Sequence, residues 1–326
     1  MNSVKPSGEN APFLLYVASC AEDGGIFEYR VTETGRAEEV GFTPMDRPMY
    51  MAIANGRMHV LLRAPFDEGR ESGLVVCDMD REGHLRMPTA PVSTQGEVAC
   101  HLAVVGGDVY AVNYISGSVF GMPDRLAVHR GSGVHPTRQT SPHTHFVSPT
   151  SDGRFLAVTD LGTDRIYIYR KDLTLASTVA LPVGHGPRHL AFHEDGEHVF
   201  CVNELASTVS LLSYRDGRMT LLHTVSALPA GFSGESTAAA IRCVGDAVYV
   251  SNRGHDSVTE LGFSGDRLTF RRTISVYGES PRDFIVHGGL IISANERSDE
   301  VTLVALDSGA LVSRIPVKAP ICVAVG

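Results

Sequence analysis

Histidine, arginine, glutamate and asparagine recur at matching places along this sequence of 326 residues. Short apolar runs begin at residues such as His145 and Arg188, and the runs that follow them end at residues such as Asn203, Glu204 and Arg253. Histidine and glutamate transfer protons, whereas a guanidinium binds a carboxylate or a phosphate through two parallel hydrogen bonds. Gathered in one place, these residue types predict acid-base chemistry on an anionic ligand.

The spacing of these residues indicates the element that carries them. From Arg188 to Asn203, two β-rich runs are joined by the turn HEDG, which predicts an antiparallel hairpin. TVSLLSY and MTLLHTV follow as a third and a fourth strand. Four antiparallel strands in about 45 residues, repeated along a chain, are typical of a propeller blade. Further copies of the opening hairpin run from Met49 to Leu62, Cys100 to Asn113, His145 to Asp160 and Arg282 to Asn295, and one more ends at Asn252.

The two ends of the chain predict one additional blade. LLYVAS and GIFEYRV, near the start, lack a first strand, and PICVAVG, at the end, lacks the strands that would follow it. Joined, they close the ring and remove the two exposed sheet edges that it would otherwise carry. We therefore predict an all-β fold, a seven-bladed β-propeller of four-stranded antiparallel blades with one blade shared between the N- and C-termini. The predicted domains are a tail over residues 1–12 and one propeller over residues 13–326.

Composition narrows the partners and the compartment. The formal net charge of -9 argues against nucleic acid and anionic membranes, which are bound through clustered Lys and Arg. No apolar run approaches the roughly 20 residues that span a membrane, and the N-terminus is a poor secretory signal. The six cysteines show no CxxC spacing and mostly lie in strand-like runs. This pattern is typical of a reducing compartment, so we expect a cytoplasmic protein.

The hairpins predict where the polar residues meet. The start of a hairpin's first strand and the end of its second strand lie at the same sheet edge, and the innermost strands of a propeller surround its channel. We therefore expect these side chains to converge at the mouth of the channel. At strand starts they are His143, His145, Arg188, His189 and Arg282; at strand ends they are Asn113, Asp160, Asn203, Glu204, Asn252, Arg253, Asn295 and Glu296.

Each candidate also has a structural interpretation. An asparagine at a strand end often bonds a turn, and Arg188 and Arg282 could brace neighbouring blades. His143 and His145, two residues apart, could supply two ligands of a metal site. No third ligand follows at a spacing typical of such sites, so we predict no metal. The sequence contains no GxSxG, GxxxxGK or GxGxxG motif, which argues against a serine nucleophile and against nucleotide chemistry.

Four strings carry a family resemblance: PHTHFVSPTSDGRFLAVTDLGTDRIYIYR, GHGPRHLAFHEDGEHVFCVNELASTVSLLSY, GFSGEST and VSNRGHDSV. They resemble the lactonase family of seven-bladed β-propellers, which includes the propeller type of 6-phosphogluconolactonase and the fungal 3-carboxy-cis,cis-muconate lactonizing enzyme. The resemblance covers nearly the whole chain from Leu14 and is strongest between Pro142 and Pro281. The sequence departs from the family pattern at two places. The hairpin of the second blade ends in Leu62 and Arg63, where the family tends to have Asn and a polar residue, and Ala240 stands where an acidic residue is common in the family.

The resemblance implies roles for particular residues. It places the predicted catalytic residues at His145, Glu204, Arg188 and Arg253, with Arg282 and Glu235 nearby. The predicted substrate-binding residues are Arg282 and Glu235 together with His143, Asn203 and Asn252, which their positions at strand starts and strand ends indicate. The arginines would hold an anionic substrate and the developing oxyanion, while His145 or Glu204 would act as general base and the other would return a proton. This scheme uses no cofactor.

We therefore predict a lactone hydrolase of carbohydrate metabolism whose partner is a small anionic lactone of the sugar-acid type, such as 6-phosphogluconolactone. One alternative is a cycloisomerase that forms or opens a muconolactone. Another is a non-catalytic binding propeller, because a fold by itself implies no activity. A calcium-assisted lactonase is a lesser variant.

Overall fold

The computed structural model describes residues 12–66 and 69–326, so the predicted tail over residues 1–12 lies outside it except for Pro12. All regular elements in these ranges are β-strands, and none of the described residues belongs to a helix long and apolar enough to cross a membrane. In chain order the strands are β1 (Phe13–Ser19), β2 (Gly25–Val31), β3 (Ala37–Pro44), β4 (Pro48–Ala54), β5 (Arg57–Leu62), β6 (Glu71–Asp78), β7 (Val92–Glu97), β8 (Ala99–Val105), β9 (Asp108–Asn113), β10 (Ser118–Gly121), β11 (Arg125–Val128), β12 (Thr144–Pro149), β13 (Phe155–Asp160), β14 (Arg165–Arg170), β15 (Leu175–Ala180), β16 (Pro187–Phe192), β17 (His198–Asn203), β18 (Thr208–Arg215), β19 (Arg218–Ser226), β20 (Thr237–Val244), β21 (Ala247–Arg253), β22 (Ser257–Ser264), β23 (Arg267–Ser275), β24 (Pro281–His287), β25 (Leu290–Asn295), β26 (Glu300–Ala305), β27 (Leu311–Pro316) and β28 (Pro320–Val325).

The strands form seven antiparallel sheets of four strands each. Six sheets are built from consecutive strands, β4–β7, β8–β11, β12–β15, β16–β19, β20–β23 and β24–β27. The innermost strands β4, β8, β12, β16, β20, β24 and β28 contact one another in turn, and β28 contacts β4, so the ring is closed. The prediction of a seven-bladed propeller is confirmed.

The seventh sheet joins the two ends of the chain, as predicted, with the strand order β28-β1-β2-β3. Leu15 of β1 pairs with Val325 of β28, and Val17 pairs with Val323. Because β28 supplies the innermost strand, it covers an edge of β1 that would otherwise expose unpaired backbone groups. The closing strand is thus also part of the channel wall.

Burial along the strands follows from the radial packing of the blades. In β17, HVFCVN, both faces are buried because the blade packs between two neighbours, and the strand is therefore a continuous apolar run. In the outermost strand β15, LASTVA, exposed positions dominate. Apolar clusters fill the gaps between blades; one of them includes Phe200, Leu211, Val250 and Phe263. These apolar contacts hold neighbouring blades together. They come mainly from the inner strands, because outermost strands such as β15 are largely exposed.

A bulge interrupts every innermost strand close to its start. In β16, Pro187 pairs with Asn203 and His189 pairs with Val202, which leaves Arg188 without a partner across the hairpin. Around the ring, the residues skipped in this way are Met49, Cys100, His145, Arg188, Ala239 with Ala240, Arg282 and Ile321. A bulge changes the direction of the extra side chain. The propeller therefore presents one ring of specially directed side chains at one end of its channel.

The shared blade gives a first testable prediction. Ending the chain after Ala319 removes β28, leaves the edge of β1 unpaired and breaks the contacts of β28 with β4 and β24. We expect this truncated chain to lose the single cooperative thermal transition of the full chain, measured by circular dichroism. Removal of Gly326 alone serves as the control and should retain that transition. A full-length-like melting curve for the chain that ends at Ala319 would contradict the closing role of β28.

Candidate active site

Two sets of equivalent positions build the site. The first is the ring of bulge residues, and the second comprises the residues at or just after the end of each second strand. Tyr114, Glu204 and Glu296 directly follow β9, β17 and β25, and Arg253 ends β21. Both sets lie at the same edge of the sheets because the hairpins are antiparallel. This arrangement brings residues from several blades to one end of the channel, as the sequence predicts.

Glu204 lies at the centre of a cluster of arginines. Its Oε2 is 3.1 Å from Nε of Arg188 and 3.1 Å from Nη2 of Arg253. Its Oε1 accepts a hydrogen bond of 2.6 Å from Nη2 of Arg138. Side-chain exposure is only 3% for Glu204 and 4% for Arg188, so this ion pair is shielded from solvent. Three guanidiniums surround one carboxylate, and the cluster therefore carries excess positive charge.

Arg138 is a site residue that the sequence analysis missed. It lies in the loop between β11 and β12, and its Nη2 also donates to Oη of Tyr114 at 3.1 Å. The neighbouring Gln139 is fully buried and fixes the loop, since its Nε2 donates to the carbonyl of Leu161 and to Oδ1 of Asp164, both at 2.8 Å. The loop belongs to no repeat, so the hairpin alignment gives no signal for Arg138.

The pairing of an arginine with a glutamate occurs twice around the ring. Arg282, the bulge residue of β24, donates to Oε2 of Glu296 at 3.0 Å. Arg188 and Glu204 occupy the same two positions of their own blade. Arg282 and Glu296 are more exposed, with 25% and 33% of their side chains accessible. The second pair is therefore open to solvent and to a ligand, whereas the first is sealed.

His145 lies beside this cluster in a buried environment. Its Nδ1 is 3.8 Å from Sγ of Cys100, and its ring centroid is 5.4 Å from that of His189 and 5.4 Å from that of Tyr114. Burial, reinforced by the charge of Arg188, lowers the pKa of His145 well below its ordinary value of 6.5. His145 is therefore neutral at pH 7 and able to accept a proton.

The charges of the cluster determine its protonation. Burial alone would raise the pKa of Glu204, but the guanidiniums of Arg253, Arg188 and Arg138 outweigh burial, and the pKa lies well below its ordinary value. Burial, with repulsion from Arg253, lowers the pKa of Arg188 to about 10. At neutral pH both groups are therefore ionised. Glu204 is a carboxylate with no proton to give.

Aromatic and imidazole rings in tilted and edge-to-face contact lie next to the bulge residues. Tyr50 packs on His101 with a centroid distance of 4.1 Å, and His101 packs on Phe146 at 4.2 Å. His189 adjoins both His101 and Phe146 at 5.3 Å. Each ring belongs to the residue that immediately follows the bulge of its strand: Tyr50 in β4, His101 in β8, Phe146 in β12 and His189 in β16. A ligand that enters from the mouth therefore meets an aromatic floor.

Two cavities lead from solvent towards this floor. The outer pocket, of about 540 Å³, is lined by Glu235, Ser236, Thr237, Arg253, Gly254, Asp256, Glu279, Ser280, Arg282, Glu296 and Arg297. The inner cavity, of about 20 Å³, is lined by Met49, Tyr50, Cys100, His145, Arg188, His189, Arg282, Asp283 and Ile321. Arg282 lines both cavities, so a ligand in the outer pocket lies next to the entrance of the inner one.

The structure separates the predicted substrate-binding residues into two groups. Glu235 is exposed at the outer pocket, and His143 stacks on Tyr114 with a centroid distance of 4.4 Å. The side chains of Asn203 and Asn252, by contrast, are fully buried within their blades. Nδ2 of Asn203 donates to Ser210, and Nδ2 of Asn252 donates to Thr259. The amides of these two asparagines thus bind the neighbouring strand, and neither side chain lines the outer pocket or the inner cavity.

Two other sequence observations concern the same region. Ala240, where an acidic residue is common, is fully buried in an apolar cluster with Tyr249, Val258 and Phe284, away from the lining of the inner cavity. Within residues 12–66 and 69–326, no group of three or more His, Cys, Asp or Glu side chains is arranged to hold a metal ion.

The fold and the site define a class: a β-propeller with a buried arginine-carboxylate cluster and a neutral histidine at the mouth of its closed channel. The family model described as "Lactonase, 7-bladed beta-propeller" matches residues 14–325. The chain therefore belongs to this lactonase family, as the sequence motifs indicate.

Comparisons with individual proteins are consistent with membership of this family. An uncharacterised protein of Staphylococcus aureus is 32% identical over 306 residues, covering 86% of this chain and 88% of its own. The periplasmic gluconolactonase of Pseudomonas aeruginosa has a TM-score of 0.87 at 26% identity, with 96% of this chain and 99% of that chain covered. A Bacteroides fragilis structure, provisionally described as a 6-phosphogluconolactonase, has a TM-score of 0.86 at 24% identity, with 99% and 100% covered. At that identity the last likeness shows the fold alone.

Proposed function

We propose that this protein hydrolyses a small anionic lactone of the sugar-acid type, with 6-phosphogluconolactone as the leading substrate. The observation that carries the proposal is the placement of neutral, buried His145 beside a carboxylate held by three guanidiniums. Membership of the lactonase family and the likeness to a gluconolactonase support it. The chemistry of each group is consistent with ester hydrolysis.

Arginines select the charge of the substrate. Arg253 and Arg282 line the outer pocket, and Arg188 and Arg282 line the inner cavity. Glu204 compensates only part of the charge of Arg138, Arg188 and Arg253, whereas the carboxylates of the outer pocket belong to Glu235, Asp256, Glu279 and Glu296. In this proposal an anionic group of the substrate therefore binds where the two cavities meet, next to Arg188 and Arg282. A planar guanidinium binds a phosphate or a carboxylate through paired hydrogen bonds. A sugar lactone with a phosphate would therefore bind better than its neutral counterpart.

His145 supplies the proton transfer. As a general base, its neutral imidazole removes a proton from a water molecule while the water oxygen forms a bond to the lactone carbonyl carbon. Arginine at the inner cavity stabilises the negative charge that develops on the carbonyl oxygen. The ring C–O bond then breaks, and the imidazolium returns its proton to the departing ring oxygen. The product is the open hydroxy acid, and His145 is neutral again.

Glu204 has a different role from the one that the sequence suggests. A general base must be free to accept a proton, and a general acid must carry one. The oxygens of Glu204 are occupied by Arg138, Arg188 and Arg253, and its low pKa keeps it ionised. In this proposal Glu204 orients the guanidiniums, and the same histidine acts in both proton transfers.

Arg138 gives a second testable prediction. Its side chain is 38% exposed and contacts both Glu204 and Tyr114, and although it lines neither cavity, we propose that it binds the phosphate of a substrate held at the mouth. We expect Arg138→Gln to raise KM for 6-phosphogluconolactone about 10-fold or more, because a hydrogen bond to a charged group contributes about 1.5–3 kcal/mol. KM for neutral D-glucono-δ-lactone should change less. Equal changes in the two KM values would contradict a role in binding the phosphate.

Acid release from a substrate panel tests the function itself. Initial rates are measured at constant pH with 6-phosphogluconolactone, D-glucono-δ-lactone and muconolactone, each corrected for spontaneous hydrolysis. A parallel assay supplies cis,cis-muconates and follows their ultraviolet absorbance. The proposal predicts turnover of the sugar lactones, with the phosphorylated one preferred. Turnover of muconates alone would favour the cycloisomerase, and no turnover of any compound would favour a binding propeller.

A further inference from the structure

His189 shows a hydrogen-bonding pattern that the scheme above does not use. The residue follows the bulge of β16, is 4% exposed and lines the inner cavity. Its Nε2 is 3.1 Å from Nη1 of Arg188. A guanidinium only donates hydrogen bonds, so Nε2 of His189 is the acceptor in this contact.

This contact fixes the tautomer of the ring. Burial, together with the charge of Arg188, lowers the pKa of His189 well below its ordinary value, so the imidazole is neutral at pH 7. A neutral imidazole that accepts at Nε2 carries its hydrogen on Nδ1. Nδ1 of His189 is buried and has no hydrogen-bond partner among the described residues. Buried donors are rarely left unpaired, which indicates an acceptor that the described protein groups do not supply.

The inner cavity has the size for such an acceptor. Its volume of about 20 Å³ accommodates a single oxygen atom of a ligand or one water molecule. The carboxylate of Asp283 also lines the cavity, but Arg242 donates to its Oδ1 at 2.6 Å and the amide of Val323 donates to its Oδ2 at 3.2 Å. Both carboxylate oxygens of Asp283 are therefore already hydrogen-bonded to other groups.

We propose that Nδ1–H of His189 donates a hydrogen bond to the carbonyl oxygen of the substrate in the inner cavity, and so stabilises the oxyanion that forms there. This rests on the proposed lactone hydrolysis. Arg188 thereby has two functions, because it contributes charge to the cavity and sets the tautomer that turns a neutral histidine into a donor.

A purely structural role for His189 predicts something different. In that case the ring serves only to hold Arg188, and the acceptor Nε2 is the atom that matters. Arg188 has other anchors, however, since its Nη1 also donates to the carbonyl of Ala239 at 2.8 Å and its Nε faces Glu204. The two roles therefore depend on opposite sides of the same ring and are separable by substitution.

Two amides separate these roles. Asparagine places its side-chain nitrogen near the position of Nδ1, whereas glutamine places its oxygen near the position of Nε2. We expect His189→Gln to lower kcat for 6-phosphogluconolactone about 100-fold, the effect of removing one oxyanion donor, with little change in KM. His189→Asn should retain kcat within about fivefold. A larger loss in His189→Asn than in His189→Gln, or equal kcat values, would overturn the inference.

A nitrogen NMR measurement tests the tautomer without turnover. In protein labelled with ¹⁵N in the imidazoles, with His189→Asn used for assignment, we expect His189 to be protonated at Nδ1 and neutral at pH 7. Its Nδ1 proton resonance should shift when the acid product 6-phosphogluconate is added. Protonation at Nε2, or a resonance that does not move, would overturn the inference. If the wild-type protein hydrolyses no lactone, the proposed function is wrong. The NMR measurement then decides by itself whether His189 carries its proton on Nδ1 and donates it to a ligand.

Discussion

Glutamine in place of His145 is expected to lower kcat for lactone hydrolysis by about 10²–10⁴-fold, the range for loss of a general acid-base group. KM should change little, because the arginines that hold the substrate remain. The measurement is steady-state acid release from 6-phosphogluconolactone by the purified variant, with its thermal transition recorded to verify the fold. This is the largest effect on activity that the site predicts.

The pH dependence of kcat/KM should also distinguish His145→Gln from the wild type. The neutral form of His145 is the active one, and burial holds its pKa well below 6.5. The kcat/KM of the wild type should therefore stay level as the pH falls from 8 to about 6.5 and decline only below that range. The decline should be absent from the residual activity of His145→Gln.

His287 provides the control, since it is exposed at the opposite end of β24 from the site. His287→Gln should keep the wild-type kcat and the wild-type pH profile. Wild-type turnover by His145→Gln, or a decline of wild-type activity centred above pH 6.5, would refute the assignment of His145 as the base.

Among the single substitutions proposed, glutamine in place of Glu204 should produce the largest loss of stability. The change leaves Arg188, with 4% of its side chain exposed, without a counter-ion. Removing one partner of a buried ion pair costs about 3–5 kcal/mol in the free energy of unfolding, because the remaining charge stays desolvated. Denaturant unfolding at pH 7 measures the loss. Activity should fall as well, since the guanidiniums lose the group that orients them.

The pH dependence of stability follows from the same contacts. The folded protein holds the pKa of Glu204 below its ordinary value of 4.5, so the stabilisation is complete above that pH and is lost as the pH falls towards the folded pKa. The difference in unfolding free energy between the wild type and Glu204→Gln should therefore shrink below about pH 4.5.

A surface ion pair provides the matched control. Arg57 and Asp78 are 2.8 Å apart with 59% and 68% of their side chains exposed, so Asp78→Asn should cost no more than about 1 kcal/mol. The double variant Arg188→Met, Glu204→Gln should recover part of the lost stability and none of the activity. Equal costs for Glu204→Gln and Asp78→Asn would contradict a sealed arginine-carboxylate cluster.

Most of the propeller could be predicted because its repeats are local in sequence. Each blade is built from consecutive strands, and alignment of the hairpins placed Cys100, His145, Arg188 and Arg282 at one equivalent position. The structure shows that this position is a bulge, which the alignment located without identifying it. The terminal blade was predictable for a different reason, since an incomplete set of strands at each end requires a partner.

The site was less predictable where contacts depend on loops or on side-chain direction. Arg138 reaches Glu204 across 66 positions of sequence from a loop that belongs to no repeat. Asn203 ends β17 with its amide buried against Ser210, whereas Glu204, the next residue, joins the arginine cluster. The residue types at these two positions do not distinguish these contacts. The tautomer of His189 follows from a contact with its neighbour Arg188, and residue identity alone does not determine it.

The location of a bound product tests the central claim most directly. A crystal structure of the complex with 6-phosphogluconate is predicted to show the acid in the outer pocket, in contact with Arg253 and Arg282, with its carboxylate directed towards His145. A ligand found instead in the 470 Å³ pocket lined by Tyr16, Arg30 and Gly326, at the other ends of the strands, would contradict the account.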